Sequence, residues 1–407
     1  MIKRHVESIA FSDEFGRQMR FIAGPRQTGK TTIAKDWLAG AEMLDFYYNW
    51  DTRQVKDLYR KDPYFFESKL YEFFHNGVLP WIVFDEIHKM PKWKNILKDF
   101  FDKFDGCAKF AVTGSARLDT FRKSGDSLAG RYFMFRLFPL VLSEVCGSEP
   151  VLISETSSAG DFLYSRINRS GYKQEGFEQL LEFGGFPEPF IKADSRFHKR
   201  WQRDYLDRLI YEDMRDLTRI IDLENAVSFM YLLPERTGSL LSLNSVSRDI
   251  GASYSAVKNC LSGLEKVYAV FLVPPYSKKI SRSIKKEKKA YFFDWTRCGS
   301  RAARFENYVA VELNAIVGLW NDCGIGEFAL NFVRTKDGKE TDFLILKNGH
   351  PWLMFEVKLA QSAAAAHHYK HAELLGNIPF VQIVAETNIL KKQGPDFIVV
   401  SASKFFA

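Results

Sequence analysis

Long apolar runs, paired cysteines and a general excess of charge are all missing from this 407-residue sequence. Every apolar stretch is interrupted by a charge, a glycine or a proline well before the ~20 residues that a membrane span needs. The five cysteines form no C-x-x-C pair and no zinc-ligand spacing, which predicts reduced thiols. The start of the chain carries Lys3, Arg4 and Glu7 without an apolar segment, unlike a signal peptide. We expect a cytoplasmic protein with no membrane partner.

Most of the net charge of +7 comes from one short segment. Between positions 278 and 289 there are seven basic residues and a single acid, Glu287. The rest of the chain is close to neutral and has the apolar content, 46%, of an ordinary globular protein. The length predicts two or three domains. A local cationic patch, rather than general basicity, therefore needs an explanation.

Nine residues near the start of the chain match the phosphate-binding loop pattern G-x-x-x-x-G-K-[ST]. An apolar run precedes them as a buried strand would, and a helix-compatible stretch follows. The glycines let the backbone curl so that its N–H groups face a phosphate, and the helix N-terminus adds positive potential. We expect Lys30 to reach the β- and γ-phosphates of ATP and the Thr31 hydroxyl to bind Mg²⁺. The predicted nucleotide-binding residues are Gly24, Pro25, Arg26, Gln27, Thr28, Gly29, Lys30, Thr31 and Thr32.

The first 145 residues or so alternate apolar strands with helical patterns, which predicts an α/β fold with the open parallel sheet of a P-loop NTPase. The third apolar strand ends in Asp85 and Glu86, at the sheet edge where such folds bind ligands. We expect Asp85 to hold Mg²⁺, directly or through water, and Glu86 to orient and deprotonate the attacking water. The strands are expected near 19–23, 43–47, 81–85, 109–113 and 132–136.

Two further groups are candidates for the nucleotide site. Thr113 and Ser115 end the fourth strand with hydroxyls that suit a polar sensor of the γ-phosphate, or an ordinary turn. Arg131 follows a glycine-containing stretch and has three interpretations. It could act as an arginine finger on its own subunit, act on a neighbouring subunit of a homo-oligomer, or be a surface cation.

Six segments, in a fixed order, resemble those of a prokaryotic AAA-type ATPase family: GPRQTGKTT, WIVFDEIHKMPKW, TGSARL, SLAGR, FPLVLSE and GGFPEP. Members of that family carry a C-terminal domain of unknown function that looks like a winged helix followed by a PD-(D/E)XK nuclease-like fold. The resemblance covers essentially the whole chain and implies ATP hydrolysis. His88 departs from it, since the family usually has glutamine there, and we expect that histidine to be structural.

The patterns and the resemblance together predict four parts: an ATPase core (1–145), a helical lid or connector (146–238), a winged helix (239–296) and a mixed α/β nuclease-like domain (297–407). In the third part, Gly251 supplies a turn between two short helices and Ser253 caps the second. Two strand-like runs, 269–273 and 290–293, then flank the basic segment as the strands of a wing would.

DNA is the partner that this arrangement favours. One helix would enter the major groove while the wing contacts the phosphates. The alternative is a domain that only packs against its neighbours and carries a solvated, charged loop. The predicted DNA-contacting residues are Lys258, Lys278, Lys279, Arg282, Lys285, Lys286, Lys288 and Lys289.

A second metal site is predicted where Asp342 begins one strand and Glu356 and Lys358 end the next. A three-residue loop at 348–350 would place Asp342 opposite Glu356, whereas a two-residue turn would put them on opposite faces. Together they could hold Mg²⁺, or Mn²⁺, and position the water that attacks a phosphodiester. The resemblance supplies Glu306 as the fourth member, with Glu312 on the same helix as its rival.

The predicted function is therefore ATP binding and hydrolysis coupled to DNA binding, with metal-dependent DNA cleavage at the second site. The alternative is a nucleotide-gated DNA-binding regulator or scaffold whose nuclease-like domain cuts nothing. A protein-binding switch that does not retain DNA is the third interpretation.

Overall fold

The computed structural model describes residues 2–114, 128–169, 174–215, 223–277, 287–393 and 396–407. The chain forms two compact units, one from Lys3 to Phe138 and the other from Pro139 to Ala407 together with Ile2. Each unit contains its own sheet. Within the described ranges, none of the helices combines the length and the apolar composition that a membrane crossing requires.

The N-terminal unit is an α/β domain built on a five-stranded parallel sheet. The sheet has the order β2-β3-β4-β1-β5. Its strands are β1 (Met19–Ala23), β2 (Tyr47–Asn49), β3 (Trp81–Asp85), β4 (Lys109–Gly114) and β5 (Tyr132–Arg136). The predicted parallel sheet is thus confirmed, with one correction. Leu44–Phe46, expected in the second strand, forms a 3₁₀ turn in which Leu44 is half exposed, so β2 begins later.

The helices described in this unit cover the sheet and include the one that follows the phosphate-binding loop. They are α1 (His5–Ala10), α2 (Lys30–Gly40), α3 (Arg53–Lys61), α4 (Glu67–His75) and α5 (Trp93–Lys103). Every residue of β1 and β3 is buried, as expected for central strands covered on both faces. The carboxyl ends of β1, β3 and β4 consequently meet at one edge of the sheet.

The second unit begins with a series of helices, as the sequence predicts. Those described are α6 (Leu142–Cys146), α7 (Ala159–Ile167), α8 (Gln174–Phe183), α9 (Pro187–Lys192), α10 (Ser195–Arg208) and α11 (Leu223–Leu232). Gly184, with φ 78°, lies in the turn between α8 and α9. The backbone there is left-handed, a conformation that glycine adopts at little cost.

A helix-turn-helix and a β-hairpin follow: α12 (Leu243–Ile250), α13 (Tyr254–Lys266), β6 (Val270–Val273) and β7 (Lys289–Phe292). Gly251 has φ 67° in the turn, and the Ser253 hydroxyl accepts the Ala256 N–H at 3.1 Å as a helix cap. The strands pair antiparallel, and the basic segment joins them as predicted. Residues 278–286 of that segment lie outside the described ranges.

The C-terminal part is a mixed six-stranded sheet in the order β12-β13-β11-β10-β9-β8. Its helix α14 buries Tyr308, Val309 and Trp320 in the core of the unit. The elements are α14 (Arg301–Asp322), β8 (Phe328–Arg334), β9 (Glu340–Lys347), β10 (His350–Lys358), α15 (Ala366–Leu374), β11 (Phe380–Val384), β12 (Leu390–Lys392), β13 (Phe397–Ser401) and α16 (Ala402–Phe405).

The turn between β9 and β10 is shorter than the three-residue loop that would align the two carboxylates. His350 pairs with Lys347, so Asn348 and Gly349 alone form the turn. Both have positive φ, 51° and 78°, as a two-residue hairpin turn of this kind requires. Taken alone, this turn would have put Asp342 and Glu356 on opposite faces.

A β-bulge at Trp352 reverses that consequence. The pairing shifts by one residue there, and beyond it Phe355 lies opposite Phe343. The same register continued by one residue places Glu356 opposite Asp342. The two-residue turn, one of the two alternatives, is therefore the one present, and the bulge still places Asp342 and Glu356 opposite each other.

Candidate functional site

The phosphate-binding loop is shaped by close contacts around its two glycines. A Cβ at Gly24 would lie 2.1 Å from the Leu137 carbonyl oxygen, so no larger residue fits there. Gly29 has φ 98°, a conformation that favours glycine, immediately before α2. The Thr28 hydroxyl donates to the Pro25 carbonyl at 2.8 Å. The loop is therefore folded tightly between β1 and α2, as the motif predicts.

The Lys30 side chain lies against this loop and is buried. Its Nζ donates to the carbonyl oxygens of Gly24, at 3.0 Å, and Pro25, at 2.6 Å. Because the ammonium lies beside the first turn of α2, its charge adds to the positive potential of the helix N-terminus. The arrangement can attract an anion to the loop.

Asp85, at the end of β3, receives hydroxyl groups from three different elements. Thr31 donates to its Oδ2 at 2.8 Å, Tyr47 donates to the same oxygen, and Thr113 donates to Oδ1. Only 2% of Asp85 is exposed, so these bonds fix the carboxylate in a largely dry site. The structure thus brings Lys30, Thr31, Asp85 and Thr113 together at one sheet edge.

Tyr47 is a member of this site that the sequence interpretation missed. It opens β2, one strand away from β3, and its hydroxyl points at Asp85. Burial and the neighbouring Asp85 carboxylate raise the pKa of Tyr47 far above its ordinary value, so the hydroxyl remains a donor. No motif marks this tyrosine. Predicting the role of Tyr47 from the sequence requires the correct start of β2.

Glu86 follows Asp85 in a left-handed conformation, with φ 59°. Its Oε2 lies 3.5 Å from Nε2 of His88 and 3.5 Å from Nζ of Lys89, which is itself 2.6 Å from Asp51. Burial raises the pKa of Glu86, while Lys89 opposes the rise. A carboxylate with raised basicity beside the loop is suited to accept a proton from water.

Arg131 does not belong to this site. It precedes β5, whereas the phosphate-binding loop follows the parallel strand β1 at the other end of the sheet. Five strand residues separate the two ends, a distance of about 16 Å. Arg131 instead pairs with Asp102 through Nε at 2.8 Å and Nη2 at 3.1 Å. The arginine-finger interpretation within the same subunit is wrong, and action on a neighbouring subunit stays a prediction. Ser115 lies outside the described residues.

The C-terminal unit contains a second cluster of charged groups, centred on the ammonium of Lys289. Its Nζ lies 2.6 Å from Oε1 of Glu340, 3.5 Å from Oε1 of Glu306 and 3.7 Å from Oδ1 of Asp342. Lys289 is 1% exposed. Burial alone would lower the pKa of Lys289, but Glu306, Asp342 and Glu340 together raise it above its ordinary value. The lysine is therefore a buried cation.

The remaining predicted members lie beside this cluster. Glu356 is buried and pairs with Lys358, whose Nζ is 2.6 Å from Oε1. Oδ2 of Asp342 accepts the Val357 N–H at 2.9 Å. Burial, and then the nearby Asp342, raise the pKa of both Glu306 and Glu356 to about 7. The four predicted residues are thus assembled, together with Lys289 and Glu340, which were not foreseen in this role.

Two buried histidines of α15, His368 and His371, lie close to this cluster. The buried Thr341 hydroxyl lies 2.9 Å from Nδ1 of His368 and 2.8 Å from Nδ1 of His371. Nε2 of His368 lies 3.5 Å from Oε2 of Glu356. Burial lowers the pKa of His368 to about 3, so the ring is neutral. The ring therefore adds no charge beside the Glu356 carboxylate.

The second site does not fit a divalent metal as it stands. Within the described ranges, no group of three or more His, Cys, Asp and Glu side chains is arranged to hold a metal ion. The physical reason is that Lys289 lies among three of the carboxylates and Lys358 is paired with the fourth. At the N-terminal site, by contrast, the oxygens of Thr31 and Asp85 are ligands of the kind that Mg²⁺ prefers.

Glu312, the rival of Glu306, is in another environment. It is 2% exposed and accepts the Leu142 N–H at 2.8 Å. Burial raises its pKa to about 8. Its contacts belong to the core of the unit, so the choice of Glu306 for the cluster agrees with the structure.

The helix-turn-helix presents an open groove of about 770 Å³ beside α13. Lys258 is exposed on this helix, and Tyr254 and Lys288 also line the groove. Lys289 faces away into the acidic cluster, so its prediction as a DNA contact is wrong. The other predicted contacts, Lys278, Lys279, Arg282, Lys285 and Lys286, lie outside the described residues.

Comparisons with known proteins agree with the N-terminal assignment. Residues 16–146 match the model of the AAA domain family, and residues 174–296 match a domain of unknown function (DUF8612). The N-terminal unit, with its P-loop NTPase fold, is therefore similar to AAA domains over residues 16–146. A nuclease-like domain is not among these matches.

The relatives do not have an assigned function. The uncharacterized protein Rv2008c of Mycobacterium tuberculosis is 23% identical over 360 residues, which are 86% of this chain and 72% of that protein. The uncharacterized protein MJ1637 of Methanocaldococcus jannaschii is 22% identical over 313 residues, covering 72% and 63% of the two chains.

Among solved structures, the chain has a distant likeness to two proteins from Aeropyrum pernix and Aquifex aeolicus. One is the Aeropyrum pernix ORC1 protein in complex with DNA, with a TM-score of 0.28, 14% identity and coverage of 72% of this chain and 86% of that one. The other is AMPPCP-bound DnaA from Aquifex aeolicus, with a TM-score of 0.28, 14% identity and coverage of 64% and 86%.

Proposed function

We propose that this protein is an ATPase that binds and hydrolyses ATP with Mg²⁺ at the carboxyl edge of the N-terminal sheet. The observation that carries the proposal is the convergence of Lys30, Thr31 and Asp85 around one glycine-shaped loop. Lys30 binds the phosphates, and Thr31 and Asp85 hold the metal. Bound Mg²⁺ supplies charge neutralisation on the phosphates.

The residues around that convergence have separate roles in the proposal. Tyr47 and Thr113 hold the Asp85 carboxylate in one orientation through their hydroxyls. Glu86 orients a water and accepts its proton, which agrees with the rise of its pKa on burial. His88 and Lys89 keep the Glu86 side chain beside the loop.

We infer that DNA is the macromolecular partner and that the helix-turn-helix is its binding element. The groove along α13 is open, and two cations, Lys258 and Lys288, line it together with two acids, Glu265 and Glu287. The adjacent segment at 278–286 adds five more cations by sequence. Such a surface binds phosphates through charge, and the affinity falls steeply as salt rises.

For the C-terminal domain two candidate functions remain, and specific contacts favour each. The juxtaposition of Asp342, Glu356 and Lys358 is what metal-dependent cleavage of a phosphodiester would need. The Lys289 ammonium among the carboxylates favours the alternative, a scaffold that cuts nothing. We propose the scaffold, because the cluster already contains its cations.

The experiment that tests the proposal measures ATP turnover and DNA retention side by side, with and without DNA and at two salt concentrations. We expect Mg²⁺-dependent turnover that Asp85→Asn abolishes, and DNA retention that higher salt weakens. Absence of ATP turnover in the folded wild type would contradict the ATPase proposal. Failure to retain DNA at low salt would favour the protein-binding switch.

A further inference from the structure

Lys289 connects the hairpin of the helix-turn-helix module to the acidic cluster of the C-terminal domain. It is the first residue of β7, next to the basic segment in sequence, yet its side chain is buried against α14 and β9. The strand is fixed there, since the Phe292 N–H donates to Oδ1 of Asn307 at 2.8 Å and Nδ2 of Asn307 donates back to the Phe292 carbonyl at 2.7 Å. These two hydrogen bonds fix β7 against α14, and β7 in turn positions the Lys289 ammonium.

We propose that the Lys289 ammonium is the resident cation of this cluster and excludes a divalent metal from it. The inference rests on the proposed second site only for the identity of the carboxylates, and it is independent of ATP hydrolysis. Three carboxylates from two elements, Glu306 of α14 and Glu340 and Asp342 of β9, surround one buried positive charge. That is the environment in which a metal would otherwise be bound.

Charge and geometry both support exclusion. The Glu340 carboxylate is divided between Lys289, at 2.6 Å from Oε1, and Arg334, at 2.8 Å from Oε2. Tyr291 occupies Oε1 of Glu306 with a hydrogen bond of 2.7 Å. A divalent ion would have to enter next to an ammonium that is 1% exposed, and the two positive charges would repel each other across a poorly screened interior. A divalent ion could therefore bind in the cluster only if the Lys289 side chain left it.

The consequence is a latent metal site that depends on a single side chain. Replacing Lys289 by methionine removes the charge while keeping a long unbranched chain, which leaves the carboxylates without their cation. At a pH above that at which they titrate, buried carboxylates that have lost their cation bind a divalent ion, because the ion replaces the missing charge. We therefore expect Lys289→Met to bind a divalent ion in this cluster, where the wild type binds none.

The test counts Mn²⁺ bound to the nucleotide-free full chain from the loss of the free-ion EPR signal. We expect Lys289→Met to bind one Mn²⁺ ion more than the wild type, and Lys289→Met combined with Asp342→Asn to lose that ion. Lys339→Met is the matched control, because it removes the charge of an exposed lysine beside Glu340. This control should bind Mn²⁺ as the wild type does.

Three results would overturn the inference. The first is an Asp342-dependent Mn²⁺ ion in the wild type, and the second is a folded Lys289→Met protein that gains none. If Lys289→Met does not fold, acetylation of wild-type lysines followed by mass spectrometry replaces it. Lys289 should then stay unreactive with and without Mn²⁺, and an increase in its reactivity with Mn²⁺ is the third contrary result. Wild-type ATP turnover in Lys289→Met would separate a failure here from a failure of the ATPase proposal.

Discussion

The hydroxyl of Thr31 donates a hydrogen bond of 2.8 Å to Oδ2 of Asp85, although the two residues are 54 positions apart in the chain. This bond joins the first turn of the helix after the loop to the tip of a different strand. The bond brings the Thr31 hydroxyl and the Asp85 carboxylate, the two groups expected to bind Mg²⁺, into direct contact. In the sequence they belong to two separate motifs. The side chains of the proposed nucleotide site are therefore joined to one another directly.

Tyr47 should affect catalysis through the orientation of Asp85. Tyr47→Phe removes one hydroxyl from a buried carboxylate, and a hydrogen bond to a charged group contributes roughly 1.5–3 kcal/mol. We expect kcat for ATP to fall about tenfold or more with little change in KM. Steady-state turnover measures this. Tyr48→Phe is the control, because Tyr48 packs against Phe65 and Phe84, and equal effects of the two variants would contradict the assigned role.

DNA binding should depend on salt in proportion to the cations that contact phosphate. With about four such contacts, log K should fall with log salt at a slope near −3.6. Neutralising Lys285 and Lys286 together should make the slope shallower by about 1.8. Fluorescence anisotropy with a short duplex at several salt concentrations gives both slopes.

Lys258→Ala should weaken the same binding, whereas Lys199→Ala, an exposed lysine on α10, should not. The proposed surface would be contradicted if DNA binding changed neither with salt nor with the substitutions at Lys285 and Lys286.

DNA cleavage should be absent from the wild type. Because Lys289 fills the acidic cluster, supercoiled DNA incubated with the protein and Mg²⁺ or Mn²⁺ should remain intact, as gel electrophoresis would show. Asp342→Ala serves as the reference. Nicking by the wild type that disappears in Asp342→Ala would establish a working nuclease and remove the scaffold interpretation.

The buried Glu312 should make stability depend on pH. Burial raises its pKa in the folded state to about 8, so the native protein holds a proton that the unfolded chain releases above its own, lower pKa. The stabilisation is complete below the unfolded pKa and is lost as pH rises through the folded one. Between about pH 5 and pH 8, the free energy of unfolding of the wild type should fall relative to Glu312→Gln by on the order of 3–5 kcal/mol.

Urea unfolding at the two pH values measures this difference, and the exposed Glu188→Gln is the control. A Glu312→Gln variant that follows the wild type at both pH values would show that Glu312 does not retain its proton in the folded protein.

The sequence predicted the convergence of Thr31, Asp85 and Thr113 because these groups lie at or just after strand ends. Once β1, β3 and β4 are recognised as parallel neighbours, Thr31, Asp85 and Thr113 must meet. Tyr47 escaped notice because the start of β2 is decided by tertiary burial rather than by the apolar pattern.

The second site shows the opposite limit. Asp342 and Glu356 are aligned because a bulge at Trp352 compensates for a short turn, and no residue of that turn predicts the bulge. The sequence predicts Lys289 as part of a cationic wing, because the order of residues does not show which way a charged side chain points. Only the fold shows that this lysine faces inward, toward Glu306 and Glu340.

ATP turnover of Lys30→Ala beside the wild type is the most direct test of the central claim, that the glycine-shaped loop and the Asp85 edge form one ATPase site. Lys98→Ala, an exposed lysine on α5, controls for the loss of a charge. We predict that Lys30→Ala loses Mg²⁺-dependent turnover while circular dichroism shows that it remains folded, and that Lys98→Ala keeps wild-type activity. Undiminished turnover in a folded Lys30→Ala protein would contradict the account.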